Sequence, residues 1–154
     1  MTSFELHPQL VLKEEEIRRG IEILFYAHKG LAAACDPLLE QHQLGRAHRR
    51  ALYFISQTPG LTVGDLLLRL SITKQSLSRV LKELITQGLV TQTKSNADGR
   101  QRLLHLTHTG EDLERQFFEA QKGQMIKAYK AAGAEAVHGY WQVLMNMLTS
   151  DEKS

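Results

Sequence analysis

From Glu14 onward, apolar or neutral residues recur at Ile17, Ile21, Leu24, His28, Leu31 and Cys35, in the alternating steps of four and three that mark a helix–helix seam. The spacing predicts a packing helix over Glu14–Cys35. Asp36-Pro37 interrupts it, because proline disfavours helical geometry in its predecessor and can itself open a helix. A short helix to Gln43 follows. The stretch "LGRAHRRALYFISQTPG" then predicts another helix, with Ala51, Leu52 and Ile55 inward, basic residues Arg46, Arg49 and Arg50 at its exposed start, and Pro59-Gly60 as its stop.

Beyond that stop, Thr62 followed three residues later by Asp65 gives a capping-box-like start for a short helix carrying Leu66, Leu67 and Leu70. "SIT" breaks it, and Thr73 can cap the next helix, which places Leu77, Val80, Leu81 and Leu84 on one side and ends at Gly88, suited to a left-handed C-terminal residue. Two strand-like alternations come next, "LVTQTKS" and "RLLHLTHT", joined by the turn-forming "NADGRQ". Thr109 is read as the cap of a long helix with Glu111 and Asp112 in its first turn, a stripe of Leu113, Phe117 and Ala120, and an end at Gly133. A last helix carries Val137, Tyr140, Trp141, Leu144, Met147 and Leu148, more apolar surface than one small helix hides within a monomer.

The predicted fold is mainly α with a small β-hairpin, in the order helix, turn, helix, hairpin that defines a winged helix-turn-helix. In such a motif the second helix enters the major groove, where Arg reads guanine, Gln reads adenine and Lys holds phosphate. Opposite the leucines of the capped helix stand Gln75, Arg79 and Lys82, with Thr73, Lys74, Ser76 and Ser78 along its first turns. An isolated helix dressed this way is more often simply soluble. Here the hairpin tip adds Arg100 and Arg102, suited to phosphates or a minor groove, and Asp98, expected to pair with an arginine and fix the wing's shape. Between Arg69 and Arg102 seven basic residues face two acidic ones, a local +5 in a chain whose net charge is only +2. That clustering points to a polyanion-binding surface.

"LTVGDLLLRLSITKQSLSRVLKELITQGLV", followed by a wing with "DGRQRLLHLTHTG", resembles the MarR (multiple antibiotic resistance regulator) family of bacterial transcription factors. The carriers are the leucine-spaced helix pair, "QGLV" leading into the first wing strand, Asp98-x-Arg100, and "LTHTG" before a long helix. Gly99 stands where the family often has an arginine, with Arg102 supplying the further basic residue. The resemblance implies one compact chain, with N-terminal dimerisation helices over 1–45, a DNA-binding lobe over 46–110 and C-terminal dimerisation helices over 111–154. It implies a homodimer on a pseudo-palindromic double-stranded DNA operator, acting as a repressor released by a small aromatic or phenolic effector. Tyr26, His28, Tyr53 and Phe54 are candidates for the effector site, each with core packing as its default use.

Other chemistry finds little support. Seven histidines occur, but His42 and His48 lack the spacing of a helical zinc pair and no cysteine cluster joins them, so no metal and no cofactor is expected. His28 lies in the N-terminal seam, where a hydrogen-bonded interface histidine is a simpler account than a sensor. No nucleophile-elbow, zinc-protease or phosphate-loop motif occurs, and no enzyme is expected. The lone Cys35 cannot form an internal disulfide and reads as a small buried apolar residue. Without an apolar run of about 20 residues or a recognisable secretory leader, the expected location is the cytoplasm, with no membrane partner. The reading from a different functional class is a winged-helix protein-interaction module that has lost DNA binding.

Overall fold

A computed structural model describes residues 12–148; the N-terminal residues 1–11, on which the reading of the leader rests, lie outside the described part. Helix α1 spans Glu14–Ala33, α2 Asp36–Gln41 and α3 Arg46–Gln57. Strand β1 (Leu61–Thr62) leads directly into α4 (Val63–Leu70) and α5 (Lys74–Thr86). Strands β2 (Val90–Lys94) and β3 (Arg102–Leu106) follow, then α6 (His108–Ala132) and α7 (Ala134–Met147).

The central element is α3. Its apolar stripe of Ala51, Leu52 and Ile55 is fully enclosed, and α4, α5, β3 and α6 all pack around it. Leu66 and Leu70 from α4, Leu77, Val80 and Leu84 from α5, Leu104 from β3, and Leu113 and Phe117 from α6 complete the core. The long helix α6 therefore begins inside the core packed around α3, and only its later turns leave it.

Among the described residues, helices α1 and α7 bury none within the protomer. Ile21 is 65% exposed and Phe25 61% on α1, while Trp141 is 57% and Val143 62% on α7. The predicted seam stops short of Cys35: α1 ends at Ala33, and Cys35 stands at the N-terminal boundary of α2 with its side chain wholly enclosed. Its thiol points to the Phe117 carbonyl at 3.6 Å, so it belongs to the inner core and not to the outer stripe.

Two further points concern the hairpin, which forms as expected with one strand added, and the start of α6, which needs correction. The hairpin is part of a three-stranded antiparallel sheet of order β1-β3-β2. Leu61 pairs with Leu104 and Thr62 with Leu103, while the Gly60 N–H donates to the Leu104 carbonyl at 2.9 Å. The free edge of β3 is thereby covered. Second, α6 is capped by Thr107, whose Oγ1 accepts from the Gly110 N–H at 3.0 Å, and not by Thr109. The cap falls two residues earlier because Gly110 must already be helical where it meets the wing base. A Cβ on Gly110 would lie 2.0 Å from the Leu89 carbonyl oxygen, so only glycine allows this approach.

Candidate nucleic-acid interface

The turn between α4 and α5 is built from residues that stop one helix and start the next. Thr62 Oγ1 accepts from the Asp65 N–H at 3.1 Å to open α4. Ser71 closes α4 in the left-handed conformation (φ 52°, ψ 42°), its N–H bonded to the Leu67 carbonyl. Thr73 then caps α5, accepting from the Ser76 N–H at 3.1 Å and donating its hydroxyl proton to Ser76 Oγ at 2.9 Å. Thr73 and Ser76 are thus engaged locally, although Ser76 keeps its own proton to donate.

With Leu77, Val80, Leu81 and Leu84 facing the core, the outer face of α5 presents Lys74, Gln75, Ser78, Arg79 and Lys82, all exposed. Among the described residues, none of these five side chains makes a hydrogen bond or ion pair within the protomer. Elsewhere, several cations are engaged: Arg18 with Glu14, Arg46 with Asp36, Lys122 with Glu119, and Arg49 with Gln121. Arg69, counted in the basic segment, bonds Thr58 and lies over the Phe54 ring. The outer face of α5 is therefore a row of donors and cations without an internal partner.

The wing tip is held by its own backbone and short side chains. Ser95 Oγ accepts from the N–H groups of Ala97 and Asp98, each at 3.3 Å, and Gln101 donates to the Asp98 carbonyl. Asp98 Oδ1 accepts from the Arg100 N–H at 3.0 Å, the local turn typical of Asp. Among the described residues Asp98 forms no ion pair with an arginine, contrary to expectation. Its carboxylate is occupied by backbone, which leaves the Arg100 guanidinium to project from the tip, exposed.

Behind the tip, the strand register sets Lys94 directly opposite Arg102. Like charges facing each other across a ladder are unfavourable by a few tenths of a kcal/mol, and an arriving polyanion would reverse that sign. Sequence reading counted Lys94 in the local charge but did not single it out. Counting outward from the NADGRQ turn pairs Lys94 with Leu103, one residue out of register; the true register is set by the Ser95 N–H, which donates to the Gln101 carbonyl.

At the other end of α5, polar contacts secure the helix to the rest of the lobe. His48, 7% exposed on α3, meets Glu83 Oε2 at 2.5 Å through Nε2, and Gln87 donates to the His42 carbonyl at 3.3 Å. Neither tie is visible in a hydrophobic pattern.

Of the four effector candidates only Tyr53 and Phe54 are in ring contact with each other. Tyr26 packs edge-on with Phe25, Tyr53 with Phe54, and His28 is exposed on α1. None of them lines the cleft of about 470 Å³ between the end of α3, β3 and the first turns of α6, which is bordered by Ser56, His105, Glu111, Glu114, Arg115 and Phe118. Among the described residues no group of three His, Cys, Asp or Glu side chains is gathered as for a metal, and no helix is long and apolar enough to cross a membrane.

The chain has counterparts among known proteins. The model of the MarR family matches residues 42–101, which take in α3 to the wing tip. The HTH-type transcriptional regulator PetP of Rhodobacter capsulatus is 50% identical over 139 residues, covering 90% of this chain and 84% of that protein. Among solved structures, Streptococcus pneumoniae FabT in complex with DNA superposes with a TM-score of 0.76 at 19% identity, over 85% of this chain and 94% of FabT. NadR in complex with 4-hydroxyphenylacetate gives a TM-score of 0.69 at 24% identity, over 96% and 97% of the two chains. With the MarR family model matched over 42–101 and half of the 139 aligned residues shared with PetP, the chain belongs to the MarR family.

Proposed function

We propose that the protein is a transcriptional regulator that binds double-stranded DNA as a homodimer, with α5 in the major groove and the wing along the adjacent backbone or minor groove. The observation that carries this reading is the outer face of α5, where Lys74, Gln75, Ser78, Arg79 and Lys82 are exposed and uncommitted beside a wing that opposes Lys94 to Arg102. In this assignment Gln75 and Arg79 read base edges, Lys74, Ser76, Ser78 and Lys82 support them or hold phosphate, and Arg100 and Arg102 engage the backbone or minor groove. Thr73 contributes by capping the helix, and Asp98 by shaping the wing.

Dimerisation is supported by the apolar faces of α1 and α7, which the described part of the protomer leaves largely exposed. A two-fold pairing of these helices would space two copies of α5 for successive major grooves, about 34 Å apart. On this reading 1–45 and 111–154 carry most of the dimer contacts and 46–110 the DNA contacts, although the first turns of α6 belong to the lobe's core. The role is regulation and not catalysis, exercised in the cytoplasm as a repressor that a small effector releases. NadR's phenolic ligand supports an aromatic effector, for which the cleft beside His105 and Arg115 has ordinary ligand dimensions; Tyr26, His28, Tyr53 and Phe54 remain further candidates.

Selection from a randomised duplex pool tests the DNA assignment. The expected product is an inverted repeat with half-sites about one helical turn apart, bound with an affinity that falls steeply with salt. Recovery of no enriched sequence, with no salt-dependent retention, would favour a protein-interaction module.

A further inference from the structure

We infer that His48 is a positioning residue for DNA recognition: it holds α5 at the rotation about its own axis that its base contacts require, acting through Glu83. The inference rests on the reading of α5 as the groove-entering helix. His48 sits in the first turn of α3, nearly enclosed, with its two ring nitrogens assigned to different elements. Nδ1 accepts from the Gly45 N–H at 3.0 Å, satisfying an otherwise free donor at the start of α3. That acceptance places the ring proton on Nε2, which donates to Glu83 Oε2 at 2.5 Å.

Glu83 lies one turn beyond Arg79 on α5. The leucines beneath α5 fix its depth, but apolar contacts are non-directional and resist rotation of the helix about its axis poorly. A directional, charge-assisted bond to a carboxylate at the edge of the buried stripe resists that rotation. Its anchor is rigid because α3 is the core's central helix. The Gln87 bond to the His42 carbonyl ties the same end of α5 to the α2–α3 turn, so the helix is gripped at its C-terminal half while its N-terminal half projects toward DNA. A small rotation would displace Arg79 from a bidentate geometry yet leave the charge of the surface unchanged.

The two bonds of His48 can be separated by substitution. Asn at position 48 offers an acceptor near Nδ1 but cannot reach Glu83; Gln carries its amide near Nε2 and can. A selected operator and a random duplex would be titrated with the parent, H48N, H48Q, E83A and the H48N/E83A double variant, with melting curves at equal protein concentration. Removing Glu83 deletes a negative charge beside DNA, which by charge alone tightens binding to every duplex.

The expected result is a loss of roughly tenfold in operator affinity for H48N and E83A, random-duplex affinity within about twofold of the parent, and recovery to within about threefold in H48Q. The double variant should bind no worse than either single one. Operator affinity of H48N equal to the parent's, or loss in H48Q as deep as in H48N, would overturn the role of the bond. If H48N unfolds, the half-exposed Glu83 decides alone: E83A weakening operator but not random binding supports positioning, and E83A tightening both overturns it. A parent that shows no salt-dependent binding to any duplex would instead defeat the underlying DNA assignment.

Discussion

Replacing Gly110 with alanine should destabilise the protein although it improves local helix propensity. Gly110 lies in the first turn of α6, and an added Cβ would stand 2.0 Å from the Leu89 carbonyl oxygen and 3.0 Å from its carbon. Both partners are backbone, so no side chain can swing away; α6 and the wing base must separate by roughly 1 Å. Two bonds cross this junction, from the Thr107 N–H to the Leu89 carbonyl at 3.0 Å and from the Thr107 hydroxyl to the Gly88 carbonyl at 2.6 Å. Losing them costs about 1 kcal/mol each, and the overpacking adds about 1–3 kcal/mol. Alanine's propensity returns about 0.5–1 kcal/mol. The net cost is about 2–4 kcal/mol, enough to lower the melting temperature by roughly 4–16 °C for a chain of this size. Gly64, on α4, has only the Thr62 hydroxyl near its would-be Cβ, at 3.9 Å, so Gly64→Ala should be neutral or stabilising by up to about 1 kcal/mol. Urea unfolding at fixed protein concentration compares the two. A stabilised Gly110→Ala protein would refute the close approach of α6 to the wing base.

Ser71 is left-handed without being glycine, so Ser71→Gly should raise stability by about 0.5–1 kcal/mol in the same assay; a loss would show that the turn's hydroxyl matters more than its backbone. A chain ending at Gly133 keeps the whole protomer core but lacks α7, and light scattering should find it folded with its dimer weakened or lost; an undiminished dimer would mean that α7 is not at the interface. Cys35 is sealed in the core, so a thiol reagent should label the native protein only as fast as it opens and the denatured protein at once. Peroxide should affect DNA binding by the parent and by Cys35→Ser alike, and a peroxide response present only in the parent would assign the thiol a redox role.

The helix pair, the wing strands and the unpartnered terminal helices were legible in the sequence because each repeats a pattern over two or more turns or several strand residues. What escaped was short or long-range. Two residues, Leu61 and Thr62, cannot display alternation, and their pairing with β3 depends on where Gly60 turns the chain. The cap at Thr107 was obscured by Thr109, two residues on; Leu89, distant in sequence, decides between them through its contact with Gly110. Asp98 was placed at the wing but given the wrong partner, since its oxygen reaches a backbone N–H two residues away before it reaches a guanidinium. The exposed cations of α5 could be read from helical periodicity. That they are uncommitted, while Arg69 is held by Thr58 and Phe54, depends on how the chain folds.

If α5 reads bases while the wing contributes charge, a salt series of affinities for a selected operator, single-base variants and random duplex separates the two most directly. Arg79→Ala should lose about 1–3 kcal/mol on the operator, discriminate less among the variants and change little on random DNA. Arg100→Ala should weaken all duplexes more evenly and reduce the salt slope by about 1. Arg79→Ala binding every duplex as the parent does would contradict the assignment of α5 as the reader of sequence.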